Sequence, residues 1–237
     1  MRRHKAVGGD PIARWCELYD AVELEVCRLA FLHWHYIKLR ELILSSRVAS
    51  GPSTFHRWLA MVYSDAAAVA IRRLVGTGKD EASLPMLLQD IRQDAPLLTQ
   101  ARHVELWRNT YGMQSNWDSH LLRCAKGEAK RLFRGRSFLH RESVGEDIGR
   151  LAKATEALHL FATRRVAHAL WQMPVKPVPV ASSLKRAVRV IDDLTHKYGL
   201  LLKGSATRPF KDFPANEDWN DIFRAAWLPA NAAVGNC

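Results

Sequence analysis

The stretch "CRLAFLHWHYIKLRELIL" at residues 27 to 44 is the richest apolar run in the chain, and its reading decides the fold. A membrane-spanning helix needs about 18 or more apolar residues with few or no charges. This run is interrupted by Arg28, Lys38, Arg40 and Glu41. It reads instead as the middle of one very long N-terminal helix. Asp10 supplies an N-cap side chain and Pro11 a first-turn proline, and nothing breaks the helix before about Ser46. At 1.5 Å per residue it is roughly 50 Å long. Leu29, Ala30, Phe31, Leu32, Trp34, Tyr36, Ile37 and Leu39 lie on several of its faces, so it is expected to meet more than one partner helix or a second subunit.

Outward from this helix the pattern stays helical. Gly51 and Pro52 make a break, after which Ser53 can cap a second helix to about Val75, with Trp58, Leu59, Val62, Ala66, Val69, Ala70 and Leu74 at helical spacing. "GTGKDEAS" (76 to 83) is a loop, and Ser83 opens a short amphipathic helix through "LPMLLQDI". Residues 96 to 111 form another, and 116 to 133 a further one capped by Asn116 or Asp118. A long helix runs from about Val144 to Trp171. "MPVKPVPVASS" (173 to 183) is an extended proline-rich connector. A clean amphipathic helix then runs from Leu184 to Leu202, with Leu184, Ala187, Val188, Ile191, Leu194, Tyr198 and Leu201 on one stripe and Gly204 as its stop. No segment of useful length has strand period. The expected architecture is an all-α antiparallel helical bundle, with residues 1 to 204 as one domain and 205 to 237 as a tail holding one short helix, "EDWNDIFRAAW".

Composition narrows the function classes. The 237 residues are 48% hydrophobic and 25% charged, the profile of a globular protein with a proper core. The opening "MRRHKAVGGDPIARW" is basic but leads into no apolar h-region, so it does not read as a secretory signal and the expected location is cytoplasmic, with no membrane partner. Cys16, Cys27, Cys124 and Cys237 form no C-x-x-C pair, which argues for reduced thiols, mostly core filler. His33 and His35 point to different sides of their helix, and H-E-x-x-H, Walker and G-x-G-x-x-G patterns are absent. Neither metal nor cofactor is expected. A formal net charge of +11 favours a polyanionic partner through counterion release, nucleic acid first.

Three sets of residues can carry chemistry. In "LFATRRVAHALWQM" (160 to 173), Arg165 lies at the edge of a stripe formed by Ile148, Leu151, Thr155, Leu158, Ala162, Val166 and Ala169. His168 sits about 60° further round and Arg164 beyond it, at the 100° per residue of a helix. Either arginine can converge with His168 on one ligand, or the three are the polar edge of an ordinary helix. A histidine with a pKa near 6.5 can exchange the proton of a ribose 2′-hydroxyl or a 5′-leaving oxygen, while an arginine braces a pentacoordinate phosphate. Asp65, between Val62 and Val69 on the inward side of the second helix, is either ion-paired with Arg72, Arg73 or another helix, or orients Arg165 or His168. Finally, "KGEAKRLFRGRSFLHR" (126 to 141) gathers Lys126, Lys130, Arg131, Arg134, Arg136, His140 and Arg141 among Leu132, Phe133 and Phe138. That mixture suits phosphate contact with base stacking, or forms a solvated face.

The chain also resembles a family. "WLAMVYSDAAAVAIRRLVG" (58 to 76), "SLPMLLQDI" (83 to 91), "RRVAH" (164 to 168) and "LKRAVRVIDDLTHKYGLLLKG" (184 to 204) occur in that order and look like the AbiU branch of phage abortive-infection proteins, within the HEPN superfamily. Many HEPN proteins are dimeric, metal-independent ribonuclease toxins with an arginine and a histidine near the end of an inner helix, four to six residues lying between them. Here three residues separate Arg164 from His168 and two separate Arg165 from it. The resemblance implies an α-helical homodimer acting on RNA, with His168 as general acid/base and Arg165 or Arg164 as phosphate brace. The alternative is a non-catalytic bundle that holds RNA or a partner protein through its basic surface.

Overall fold

The computed structural model describes residues 10 to 45, 54 to 78, 81 to 111, 118 to 163 and 180 to 211. Among them the elements are α1 (Pro11–Ser45), α2 (Thr54–Leu74), α3 (Leu84–Gln93), a 3₁₀ turn (Ala95–Leu97), α4 (Gln100–Tyr111), α5 (Asp118–Leu132), α6 (Arg141–Phe161) and α7 (Val180–Lys203). The protein is an all-α bundle with one long N-terminal helix.

Helix α6 is the hub, lying against α2, α3 and α7. Its partners run antiparallel to it. Asp147 meets Lys197 and Tyr198 while Arg150 faces Asp193. Arg141 bonds Gln93 at the far end of α3, and Ala68 of α2 packs on Phe161 and Ala162. One apolar core runs through the bundle from Trp15, Tyr19, Val22, Val26 and Leu29 of α1 to Leu201 and Leu202 of α7. The first half of α1 is thus sunk in the core, whereas Leu24, Phe31, Leu42 and Leu44 of the same helix are exposed. The expected excess of apolar faces is real.

Local chemistry explains the helix ends. Asp10 accepts the Ile12 N–H at 3.0 Å, and the Ser83 hydroxyl accepts from Met86 at 3.4 Å, opening α3 just ahead of Pro85. The α7 stripe expected from the sequence is buried at every position from Leu184 to Leu201. Gly204 ends the helix with φ +75°, in the left-handed region that favours glycine.

Four expectations are corrected. Helix α4 starts at Gln100 rather than 96, because Thr99 forms a bridge with Phe138 and its hydroxyl accepts the Arg102 N–H at 3.1 Å. Helix α6 starts at Arg141 rather than Val144. Residues 180 to 183, assigned to the extended connector, are already helical in α7; from Val180 to Lys203 every residue has an N–H to donate. On α2 the buried stripe is Tyr63, Ala67, Ala68, Ile71 and Leu74, while Trp58 and Val62 are exposed. With alanine at 66, 67, 68 and 70, apolar residues lie almost all round this helix, and periodicity alone does not choose its inward face. Of the cysteines, expected to be mostly core filler, Cys16 and Cys27 are half-buried and Cys124 is exposed. The caps assigned to Ser53 and Asn116, the short helix of the tail, and Cys237 lie outside the described residues.

No helix among the described residues is long and apolar enough to cross a membrane.

Candidate nucleic-acid interface and active site

Helix α5 positions the basic surface. Its inner face carries Ala125, Ala129 and, just past its end, Phe133, all buried. At 100° per residue Lys126 and Lys130 flank that face on one side, each one residue on from a buried alanine, and both are exposed. Arg123, one turn earlier, shares that side and is exposed too; sequence reasoning passed over it, although its spacing to Lys126 and Lys130 is helical. The chain then reverses through Arg134 at φ 52° and Gly135 at φ 77°. Only glycine takes this conformation freely, and the arginine carries a modest strain there. The reversal delivers Arg136, Phe138 and His140 to the start of α6.

The seven basic residues fall into two groups. Arg134 pairs with Glu146 at 2.8 Å, Arg131 with Glu128 at 3.6 Å and His140 with Glu142 at 3.5 Å. Arg141 donates to the Gln93 carbonyl at 2.6 Å. Lys126, Lys130 and Arg136 have no carboxylate partner among the described residues. Exposed ion pairs are worth about 0–1 kcal/mol, so a polyanion can recruit the paired cations as well. Of the interleaved aromatics only Phe138 reaches the surface, 37% exposed and stacked on His140 with centroids 4.8 Å apart. Phe133 is not available for stacking on a base: it is buried, with its ring edge toward His103.

Asp65 sits on the seam between α2 and α6. Ala68, one turn along α2, touches Phe161 and Ala162, so Asp65 lies level with the end of α6. There the winding widens into a π turn at residues 162 and 163. Asp65 Oδ1 and Thr163 Oγ1 are both buried without a hydrogen-bond partner among the described residues. The ion pair with Arg72 or Arg73 is not made. A carboxylate oxygen left this way costs about 1–3 kcal/mol or more, and Asp192 Oδ1 of α7 is buried in the same state. Arg164, Arg165 and His168 lie outside the described residues.

Arg28 and His33, with four residues between them, have the family spacing and do not converge. Arg28 turns to Glu25 and His33 to the Tyr63 hydroxyl at 2.5 Å. His33 loses basicity to burial. His35 bonds the Phe31 carbonyl instead, so the histidine doublet does divide between two sides of α1. Among the described residues no group of three or more histidine, cysteine, aspartate or glutamate side chains is placed to hold a metal ion.

Two polar centres were not foreseen. His103 is buried between the Leu200 carbonyl, 3.2 Å from Nδ1, and Glu128 Oε2, 3.1 Å from Nε2. The indole N–H of Trp107 reaches the same carboxylate oxygen at 2.8 Å. Asp147, also buried, accepts from Lys197 at 2.5 Å and Tyr198 at 3.0 Å. The fourfold spacing of His103 and Trp107 on α4 was the one local signal; Glu128 and Leu200 come from other helices. Both centres tie helices together.

The fold and its surface define an all-α bundle with a basic face on α5 and an unsatisfied carboxylate on the α2–α6 seam. Comparison with protein-family models, with curated proteins and with solved structures gives no match.

Proposed function

We propose that this chain is a HEPN-like protein of the bacterial anti-phage or toxin kind that binds RNA and cleaves it without a metal. In this reading single-stranded RNA lies on the α5–α6 surface, its phosphates on Lys126, Lys130 and Arg136 and a base on Phe138. His168 exchanges the proton, Arg165 or Arg164 braces the phosphate, and Asp65 orients one of them. The observation that carries the reading is the row of exposed cations on α5 and the turn after it that have no carboxylate partner among the described residues. The orphaned oxygen of Asp65 supports the catalytic half. A homodimer is part of the proposal: Phe55, Trp58, Met61 and Val62 expose one apolar face of α2, in keeping with a buried symmetric contact.

Fluorescence anisotropy of a labelled single-stranded RNA, titrated with the protein at several salt concentrations, tests the binding half. Affinity should fall steeply with salt, and a charge reversal at Lys126 and Lys130 should weaken it. Binding indifferent to both would remove the interface. Salt-dependent binding with no cleavage would leave the non-catalytic module.

A further inference from the structure

We propose that the cleft where the end of α2, the turn at residues 76 to 78 and the last turn of α6 meet binds a small phosphate monoester. Its phosphate would lie on Arg72 and Arg73, and its apolar group in the groove alongside.

The cleft has a volume of about 440 Å³ and is lined by Arg72, Arg73, Thr77, Glu81 and His159, among others. Neither arginine has a carboxylate partner among the described residues. Both occupy the last turn of α2, whose terminus carries roughly half a negative charge. Two guanidinium groups outweigh it, and His159 adds a donor from α6.

The protein itself marks where an anion goes. The Glu81 carboxylate is folded onto the turn, its Oε2 3.4 Å from the Gly78 N–H. A Cβ at Gly76 would run into that oxygen, and one at Gly78 would come within 2.8 Å of Cδ. The glycines therefore leave room for an acid group against the backbone. Glu81 makes no ion pair with either arginine, so the cationic side of the cleft stays unneutralised. A dianionic phosphate, with more charge and more acceptor oxygens, competes well for this place.

Thr77 and His159 are shared with a second groove of about 710 Å³, whose walls include Val75, Pro85, Ile148, Leu151 and Leu160. That volume falls in the range of about 300–1,000 Å³ usual for small-molecule sites. The site is separate from the basic face of α5: His140 precedes α6 and His159 ends it, about 28 Å apart at 1.5 Å per residue. Among the described residues the groove adds one further lysine, Lys153, and one carboxylate, Glu156, which together make no polyanion track. The inference does not depend on RNA cleavage.

Isothermal titration of the full chain with phenyl phosphate, inorganic phosphate and phenol tests it. Phenyl phosphate should bind once per chain, inorganic phosphate more weakly and phenol not measurably. Arg73→Gln, an exposed change that leaves the core intact, should weaken phenyl phosphate at least about tenfold, as loss of a charged hydrogen bond does. Leu160→Glu, also at an exposed position, should weaken it by putting a carboxylate in the groove, and Glu81→Gln should tighten it. Failure of phenyl phosphate to bind, unchanged binding by Arg73→Gln or Leu160→Glu, or weaker binding by Glu81→Gln overturns the proposal. Equal affinity for inorganic phosphate overturns the monoester assignment.

Discussion

His103 and Glu128 join α4 to α5 through a bond of 3.1 Å inside the bundle, and the other ring nitrogen of His103 faces the Leu200 carbonyl of α7. Burial pushes the Glu128 carboxyl up, but the bonds from His103 and Trp107 and the charges of His103 and Arg131 outweigh it, and its pKa ends below the ordinary value. A carboxyl depressed in the folded state stabilises the fold above its unfolded pKa, and that stability is lost as pH falls through the folded value. Urea unfolding of Glu128→Gln should therefore show a smaller loss of stability between neutral and acid pH than the parent. At neutral pH the variant should be less stable by about 3 kcal/mol, the cost of breaking a buried pair.

Asp147 holds α6 to α7 through Lys197 and Tyr198. Asp147→Ala strands a buried Tyr198 hydroxyl and a partly exposed Lys197 ammonium and should cost about 1–3 kcal/mol in denaturant unfolding. A cost under about 1 kcal/mol, the level of a surface pair, would contradict the role given to it.

Asp65 should behave differently. Oδ1 is buried without a hydrogen-bond partner among the described residues, so Asp65→Ala breaks no bond between them and should change stability by no more than about 1 kcal/mol while abolishing RNA cleavage. A variant that is destabilised and still cleaves would show Asp65 to be an ordinary structural acid.

On the basic face, Lys126→Glu with Lys130→Glu should weaken RNA binding and lower the salt slope by about 2, one for each lost phosphate contact. On the apolar face, Trp58→Glu should shift the mass measured by light scattering from dimer to monomer.

Much of the bundle was legible because each helix writes its buried face at helical spacing. In α7 leucine, isoleucine and tyrosine alternate with charge, so Leu184 to Leu201 could be assigned one by one. In α2 that contrast is missing: alanine fits inside or outside, and the large residues Trp58 and Val62 turned out exposed while Tyr63 and Ile71 are buried. The basic face was legible because lysine and arginine stay in water almost wherever they fall. Its division into paired and unpaired cations was not, since Arg134 finds Glu146 only after the chain reverses at Gly135. The cleft at Arg72 and Arg73 was invisible for the same reason: His159 and Glu81 reach it from other parts of the chain.

The central claim is metal-independent cleavage of RNA, and its most direct measurement is gel analysis of single-stranded RNA incubated with the purified protein in excess EDTA. The parent should cleave it and His168→Ala should not, with both equally folded by circular dichroism. Intact RNA with the parent, or equal cleavage by His168→Ala, would contradict the account.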